Sequence, residues 1–283
     1  MAELLHECAP LLLNIDDPGC QFIMDRMAGS ADVITFGVNN PEAELRATVL
    51  QKNHRSQRVQ LALAQGDAEV RLRMIGQHNV ANCLVAAGLA EQLGVRLKDI
   101  VAGLESLHCV PGRLERIDEG QSFQVLVDYA HTADALARCT STIREFVPGR
   151  LICVFGAGGD RDQSKRPAMG EAASTADYCI VTSDNPRRED PQAIADQIAA
   201  GFRPETEYET LINRREAIAQ AFQLAQPGDV VLLAGKGHES VQELGSSTVE
   251  FDDRDVARSL LRELAASQSV EELQPRFEFS RSA

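Results

Sequence analysis

The stretch from Leu151 to Glu189 constrains the fold of this chain more than any other part of its sequence. It contains two apolar runs, 151–155 and 178–182, without polar alternation, which is typical of parallel strands covered on both faces by helices. A helix-like segment at 167–175 separates the runs, so the stretch predicts one βαβ unit. Its right-handed crossover puts both strand ends on the same edge of the sheet.

Each apolar run ends in a polar loop, and ligands of open α/β sheets bind beyond the carboxyl ends of the strands. Asp160 and Arg161 lie in the first loop, GAGGDRD, whereas Asp184, Asn185 and Arg187 lie in the second, SDNPRRED. These side chains are therefore candidates for a binding site. A purely structural interpretation stays open, in which the glycines form a tight turn and Asp-Asn-Pro begins a helix, because one glycine-rich loop is a weak signal.

From Val110 onward, predicted strands alternate with predicted helices, which indicates a parallel, doubly wound sheet of Rossmann type in the α/β class. Two further polar loops, DYAHTAD and GKGHES, follow predicted strands at 123–129 and 230–234. Four such loops are thus expected along one sheet edge. Residues 267–283 are polar and are predicted to be a frayed tail. Further helices are predicted at 134–146, 191–202 and 215–225.

Residues 1–74 are predicted to form part of another α/β domain. Residues 43–74 alternate polar and apolar side chains around a turn at Gly66, which indicates antiparallel strands with one wet face, interpreted as a peripheral sheet. The segment before them has the pattern of an α/β domain whose first elements are absent, so a missing N-terminal portion is expected. Its predicted elements are a short N-terminal helix, a strand at 11–15, a helix at 20–27 and a strand at 33–36.

Two helices are predicted between Gln77 and Leu107, the first capped by Asn79 and ended by Gly94. Asn79 and Asn82 would share one helical face, although a cap plus an exposed amide is an equally open interpretation. The VPGR stretch that follows combines Pro and Gly, which interrupt helix and strand alike. It predicts a boundary between a domain at 1–109 and a domain at 110–283.

Composition excludes several classes of function. A net charge of −14 and a pI near 4.9 argue against nucleic-acid or anionic-membrane partners, because the chain would be repelled overall. The seven cysteines form no CxxC pair, and several lie in apolar runs, so they are interpreted as reduced core residues of a cytoplasmic protein without a metal site. No apolar stretch approaches the length of a membrane helix, and no signal-peptide pattern is present, which predicts an unexported, soluble protein.

Seven motifs occur in the order and spacing of the Mur ligase family, which the chain resembles over nearly its whole length. They are HNVAN, VPGRLE, VDYAHTADAL, FGAGGDRDQSKRP, SDNPRRED, AGKGHES and FDDRDVAR. The resemblance implies a ligase of peptidoglycan synthesis that uses ATP and Mg²⁺ to join an amino acid to a UDP-MurNAc-peptide through an acyl phosphate. The DNPR quartet resembles the branch that adds meso-diaminopimelate to UDP-MurNAc-L-Ala-D-Glu. A guanidinium at Arg187 can bind the distal carboxylate of that amino acid through two parallel hydrogen bonds.

The resemblance also implies roles for individual residues. The amino acid would be held by Arg161, Asp184, Asn185, Pro186, Arg187, Gly235 and Glu239, with Glu239 suited to the distal ammonium. ATP would contact Asn79 and Asn82 in the first domain and Arg113, Asp128, Tyr129 and His131 in the second. The chain departs from the family at Ala133, where Pro usually follows His-Thr, and a slightly looser loop is expected there. No catalytic residue and no metal ligand is assigned.

A larger departure is the lack of a GxxxxGK[ST] phosphate loop, which would hold the ATP phosphates and a magnesium-bound hydroxyl. The family's uridine-nucleotide domain, and the part of its central domain with a modified lysine and a magnesium-binding acid, are also expected to be missing. Three hypotheses follow. The chain is a portion of a diaminopimelate-adding ligase that is inactive alone, or a non-catalytic diaminopimelate-binding or cell-wall scaffold protein, or a relative that adds glutamate to folates, which the DNPR loop disfavours.

Overall fold

The computed structural model describes residues 10–27 and 32–273. The chain divides into two compact units, Met1–Val110 and Pro111–Ala283, called unit 1 and unit 2 below. The short helix predicted at the N-terminus lies outside the described residues. Within the two described ranges, no helix combines the length and the apolar character that crossing a membrane requires.

Unit 1 is built on one five-stranded sheet with three helices among its described residues. The elements are β1 (Leu11–Asn14), α1 (Cys20–Met27), β2 (Val33–Gly37), β3 (Leu45–Lys52), β4 (Gln57–Leu63), β5 (Gly66–Leu72), α2 (Gln77–Gln92) and α3 (Leu97–Ser106). The strand order is β1-β2-β3-β4-β5, parallel from β1 to β3 and antiparallel from β3 to β5. The predicted antiparallel strands are therefore present. Their interpretation as a peripheral sheet is wrong, because two residue pairs between β2 and β3 join them to the parallel strands.

Helix α2 begins two residues before Asn79, so the prediction that Asn79 caps it is wrong. The N-cap is Gly76, and the Asn79 side chain instead donates from Nδ2 to the carbonyl oxygen of Ile75 at 2.8 Å. Gly94 adopts φ +79° just after the helix, as expected for a glycine that ends one. The buried face of α2, which includes Leu84, packs on the sheet of unit 1.

Unit 2 is a doubly wound α/β domain, which confirms the predicted fold class. Its elements are β6 (Glu115–Ile117), β7 (Gln124–Asp128), α4 (Ala133–Arg144), β8 (Leu151–Phe155), α5 (Lys165–Ala173), β9 (Tyr178–Val181), α6 (Pro191–Ala199), β10 (Tyr208–Thr210), α7 (Arg214–Leu224), β11 (Val230–Ala234), β12 (Val241–Leu244), β13 (Ser247–Glu250) and α8 (Asp253–Leu273). The main sheet has the order β10-β9-β8-β11-β7-β6, in which only β6 is antiparallel.

Three features of unit 2 differ from the prediction. Strand β6 and the antiparallel β12–β13 hairpin were not predicted. Helix α8 continues to Leu273, so the frayed tail predicted from residue 267 is wrong for its first part, and residues 274–283 lie outside the described residues.

The central strands β8 and β11 are buried along their whole length, which explains why their sequences lack alternation. Helices α7 and α8 supply side chains such as Phe222 and Leu261 to one core of this sheet. The cysteines follow the same burial: Cys153 and Cys179 lie within strands, and burial raises the pKa of the Cys179 thiol to about 12. The described cysteines are free thiols, and those in the core are held in their unreactive, neutral form.

Candidate functional site

Four polar loops meet at the carboxyl edge of the unit 2 sheet. Strands β7, β11, β8 and β9 are successive parallel neighbours, so they end on the same edge. Backbone hydrogen bonds join the loops that follow them: Gly235 N donates to Asp128 O at 3.1 Å, and Gly159 N donates to Asn185 O at 2.9 Å. The prediction that four loops gather at one edge is confirmed.

The glycines of GAGGDRD let this loop lie directly against the loop that contains DNPR. A Cβ atom on Gly156 would lie 2.1 Å from the carbonyl oxygen of Thr182, and one on Gly159 would lie 1.9 Å from that of Pro186. Any side chain at these positions would force the two loops apart. The glycine run is therefore more than a tight turn, because it brings two strand-end loops into contact.

Asn185 and Glu239 come from different loops and are joined by hydrogen bonds. Asn185 Nδ2 donates to Glu239 Oε2 at 2.9 Å, and Lys236 Nζ lies 3.4 Å from both Glu239 Oε2 and Asn185 Oδ1. Lys236 is fully buried and also donates to the carbonyl oxygen of Val241 at 2.5 Å. An anion and a cation thus hold the DNPR loop against the GKGHES loop.

Arg187 adopts a left-handed backbone conformation, with φ +51°, that few non-glycine residues occupy. Its Nη1 donates to the carbonyl oxygen of Gly159 at 2.9 Å, and a Cβ atom on Gly158 would come within 3.1 Å of the same nitrogen. Its Nε lies 2.8 Å from Glu243 Oε2 on β12. The guanidinium therefore lies against the glycine loop, with Nη1 held by the Gly159 carbonyl oxygen and Nε held by the Glu243 carboxylate.

Two other residues of the predicted amino-acid site lie beside this group. Arg161 is exposed, with its Cγ atom near Gly158, so its guanidinium is accessible to solvent. Gly235 has φ +114°, and a Cβ atom there would lie 2.7 Å from Asp184 Oδ2. Glycine at this position therefore accommodates both the backbone conformation and the Asp184 carboxylate.

Asp184 is buried, and its Oδ2 has no hydrogen-bond partner among the described residues. Burial raises the pKa of Asp184 above its ordinary value, and Glu239 adds to this shift, although Arg214 and Lys236 oppose it. The folded protein therefore retains the Asp184 proton to higher pH than the unfolded chain does.

The raised pKa means that the fold disfavours the charged form of Asp184. We therefore expect ionisation of this carboxyl to lower the free energy of unfolding. Because the folded pKa lies above the unfolded one, wild-type stability should fall relative to Asp184→Asn as pH rises from about 4, the unfolded carboxyl value, through the folded pKa. Urea unfolding from pH 4 to 7 measures the difference, with Asp196→Asn, at an exposed position of α6, as the control. A wild-type stability that stays constant or rises with pH relative to that of Asp184→Asn would contradict the expectation.

Arg166 is buried and stabilises the contact between the GAGGDRD and DNPRRE loops through Glu189. Arg166 donates from Nη1 and Nη2 to the two carboxylate oxygens of Glu189, at 2.9 and 2.8 Å, and from Nη1 to Gln197 Oε1 at 2.7 Å. Glu189 in turn accepts from the backbone nitrogen of Asp160 at 2.5 Å. These hydrogen bonds, with that of Arg166 first, lower the pKa of Glu189. The carboxylate is therefore charged and holds GAGGDRD and DNPRRE in register.

The candidate nucleotide contacts of unit 2 also lie together. The Arg113 guanidinium stacks 4.8 Å from the Tyr129 ring centroid, and the rings of His131 and His238 lie 4.5 and 5.3 Å from the same centroid. Asp128 accepts from the backbone nitrogens of Leu114 and Ala130 at 2.8 Å each. The cluster presents aromatic faces and a cation side by side, and Asp128 fixes the backbone around it.

Asn79 and Asn82 lie in unit 1, three residues apart on α2, but their environments differ. Asn79 is buried and its side-chain nitrogen is bound to the start of its own helix, whereas Asn82 is exposed. The structure therefore gives Asn79 a local structural role and leaves the Asn82 amide accessible.

Several site residues were missed by sequence reasoning. Lys236 and His238 stand in the GKGHES motif beside residues that were named, and Arg166 stands in the KRP part of the GAGGDRDQSKRP motif, so their motifs were the available signal. Glu243 had no such signal, because its position depends on the unpredicted β12–β13 hairpin.

Comparison with known proteins identifies both parts of the chain. Residues 1–90 match the Mur ligase middle domain, and residues 112–237 match the Mur ligase, glutamate ligase domain. The two matches lie in different units, so the chain combines two kinds of Mur ligase domain. The chain belongs to the Mur ligase family, of which it contains middle and C-terminal domains, and this confirms the resemblance of its motifs.

Similar curated proteins are UDP-N-acetylmuramoyl-L-alanyl-D-glutamate–2,6-diaminopimelate ligases. The enzyme of Thermosynechococcus vestitus is 46% identical over 257 residues, and that of Syntrophomonas wolfei is 42% identical over 254 residues. Each alignment covers 89% of this chain and 51% of the relative. The chain therefore spans about half the length of the curated relatives it matches.

Solved structures with a similar fold match the chain over a similar share of their length. A diaminopimelate ligase of the same name matches with a TM-score of 0.60 and 34% identity over 90% of this chain and 53% of its own. The folylpolyglutamate synthase of Thermotoga maritima matches with a TM-score of 0.63 and 20% identity over 83% of this chain and 53% of its own. At that identity, the second likeness shows a shared fold alone.

Proposed function

We propose that unit 2 binds meso-diaminopimelate and that the chain contributes this site to a ligase that adds the amino acid to UDP-MurNAc-L-Ala-D-Glu. The distal carbon of meso-diaminopimelate carries a carboxylate and an ammonium, so its site needs a cation and an anion within reach of each other. The DNPR and GKGHES loops meet this need, because Arg187 lies two residues from Asn185, which is bonded to Glu239. This juxtaposition carries the proposal, and the similarity to diaminopimelate ligases supports it.

The roles of the residues follow from their chemistry. The Arg187 guanidinium binds the distal carboxylate, with Arg161 as a second cation, while Asn185 and Glu239 bind the distal ammonium. The buried Asp184 and Pro186 and the close approach at Gly235 fix the shape of these loops. Holding the distal end restricts the other amine to one position, which favours its attack on an activated carboxylate.

ATP and Mg²⁺ are the expected cofactors of the family, and unit 2 fits part of a nucleotide. Arg113, Tyr129, His131 and the loop fixed by Asp128 present cationic and aromatic groups suited to a base, ribose or phosphate. Within unit 1, considered by itself, Asn82 has an exposed amide that suits a polar ligand group. Asn79 is proposed only as the support of its helix. When bound, ATP supplies the phosphoryl group that activates the carboxylate. Among the described residues, no group of three or more His, Cys, Asp and Glu could hold a metal ion.

We further propose that the chain does not ligate alone and that its domains are 1–109 and 110–283. It spans about half of its relatives, and its sequence contains no GxxxxGK[ST] loop. A non-catalytic diaminopimelate-binding or scaffold protein would keep the same site. An in-frame phosphate loop encoded upstream of Met1 would favour the ligase portion over this alternative.

The proposal predicts that binding prefers meso-diaminopimelate to lysine through Arg187. Arg187→Ala should weaken meso-diaminopimelate binding by about tens-fold or more, because the ligand carboxylate would lose its charged partner in a partly buried site. Isothermal titration calorimetry with both amino acids measures the effect.

The neighbouring Arg188 provides the matched control. Its side chain is 83% exposed and pairs with Asp160 at 3.0 Å, so Arg188→Ala should leave binding within about twofold of wild type. Lysine bound as tightly as meso-diaminopimelate, or equal losses in the two alanine variants, would remove the assignment of Arg187.

A further inference from the structure

Glu243 pairs with the guanidinium to which the distal carboxylate is assigned above. Its Oε2 lies 2.8 Å from Arg187 Nε, and Arg187 N donates to the Glu243 carbonyl oxygen at 3.1 Å. On the other side of this contact, Gly245 N donates to the Arg187 carbonyl oxygen at 2.7 Å. The backbone of the hairpin thus fixes Arg187, and a carboxylate of the protein occupies a donor that a ligand carboxylate would use.

Both recognition charges have a counter-ion in the protein, but the two counter-ions differ in burial. Lys236, near Glu239, has no exposed side-chain surface and also donates to the Val241 carbonyl oxygen. Glu243 has 42% of its side chain exposed, and Arg187 has 21%. Separating a buried lysine from its partners is strongly unfavourable, whereas a half-exposed carboxylate turns toward water at little cost. Of the two counter-ions, the Glu243 carboxylate is therefore the one that a ligand can displace.

We propose that Glu243 is a specificity-determining residue that competes with the distal carboxylate of the incoming amino acid for Arg187. This inference rests on the proposed function, since it concerns the same site. meso-Diaminopimelate displaces the Glu243 side chain, which moves to solvent, while the backbone bonds keep Arg187 in place. Lysine lacks a distal carboxylate and leaves the pair intact. Glu243 thus lowers the affinity for meso-diaminopimelate and lets the site tolerate a ligand without the second carboxylate.

Calorimetry on the 283-residue chain tests this competition. Glu243→Gln should tighten meso-diaminopimelate binding about two- to fivefold, the range expected for removing a half-exposed ion pair, and should not tighten lysine binding. Glu250→Gln is the matched control, because Glu250 is exposed on the other strand of the hairpin and carries the same charge. It should leave both affinities unchanged. Glu243→Thr, which suits a strand, should shift meso-diaminopimelate binding in the same direction as Glu243→Gln.

The outcomes separate this inference from the proposed function. Unchanged or weaker meso-diaminopimelate binding in both Glu243 variants, with a loss in Arg187→Ala, would overturn the competition and leave the proposed function intact. Binding by the Glu243 variants where wild type binds none would support the competition. Absence of binding in wild type and in both Glu243 variants would overturn the competition together with the proposed site.

Discussion

The purified 283-residue chain should release no phosphate that depends on both UDP-MurNAc-dipeptide and meso-diaminopimelate. The sequence has no GxxxxGK[ST] loop to hold the ATP phosphates. Without a phosphate loop at the transferring phosphoryl group, the ligation rate should lie about a thousandfold or more below that of a ligase that has one. A phosphate-release assay with each substrate omitted in turn measures this expectation.

Binding of meso-diaminopimelate by the same preparation is the control, because it shows that the unit 2 site is folded while ligation is absent. Robust turnover by the chain alone would mean that residues other than a phosphate loop hold the ATP phosphates. In that case the proposal that the chain lacks parts needed for ligation, and does not ligate alone, would be wrong.

The second large effect concerns the Arg214–Asp253 ion pair, which is fully buried in unit 2. Arg214 Nε and Nη2 donate to the two Asp253 oxygens at 2.7 and 2.6 Å, and Nη2 also donates to the carbonyl oxygen of Ala234 at 3.0 Å. The pair joins the first turns of α7 and α8 to the end of β11, just before Gly235. Arg214→Met should lower the free energy of unfolding by about 3–5 kcal/mol, because it leaves the Asp253 charge buried without its partner.

Chemical denaturation measures this loss, and the adjacent residue supplies the control. Arg215 pairs with Glu263 at 2.7 Å on the surface, with side chains 44% and 58% exposed. Arg215→Met should therefore change stability by no more than about 1 kcal/mol. The double variant Arg214→Met/Asp253→Leu should recover part of the loss, since no unpaired charge remains. Equal effects of Arg214→Met and Arg215→Met would be incompatible with a dominant buried pair.

The main sheet of unit 2 was predictable because its strands are buried on both faces. The run of apolar residues at Val230–Ala234 coincides with β11, and polar residues follow it at once. Since parallel strands end on a common edge, the meeting of DNPR with GKGHES followed from their positions after strands. The same reasoning gave the candidate residue Asn185, and the resemblance to the Mur ligases implied Glu239. The structure brings the two side chains within hydrogen-bond distance.

What escaped prediction depends on tertiary pairing and on side-chain burial. β12 and β13 are short and largely exposed, so they lack the apolar signal of a core strand. The burial of Lys236 cannot be read from a motif in which lysine precedes Gly-His-Glu. Asn79 is a good cap by residue type, but the backbone of Gly76 starts the helix earlier. The sheet of unit 1 was misjudged because a pairing of only two residues carries no periodic pattern.

The order of strands in unit 2 has a consequence for how the domain is assembled during synthesis. Strand β11 lies between β7 and β8, although the chain makes it after β10. Until it is available, the sheet consists of two unconnected pieces, one with β7 and the other with β8 and β9. Such late, long-range pairing slows folding and leaves edges open to association. A nascent chain stopped before Val230 would therefore hold Tyr129 and His131 on one piece and the DNPR loop on the other, and chaperones would be expected to bind it.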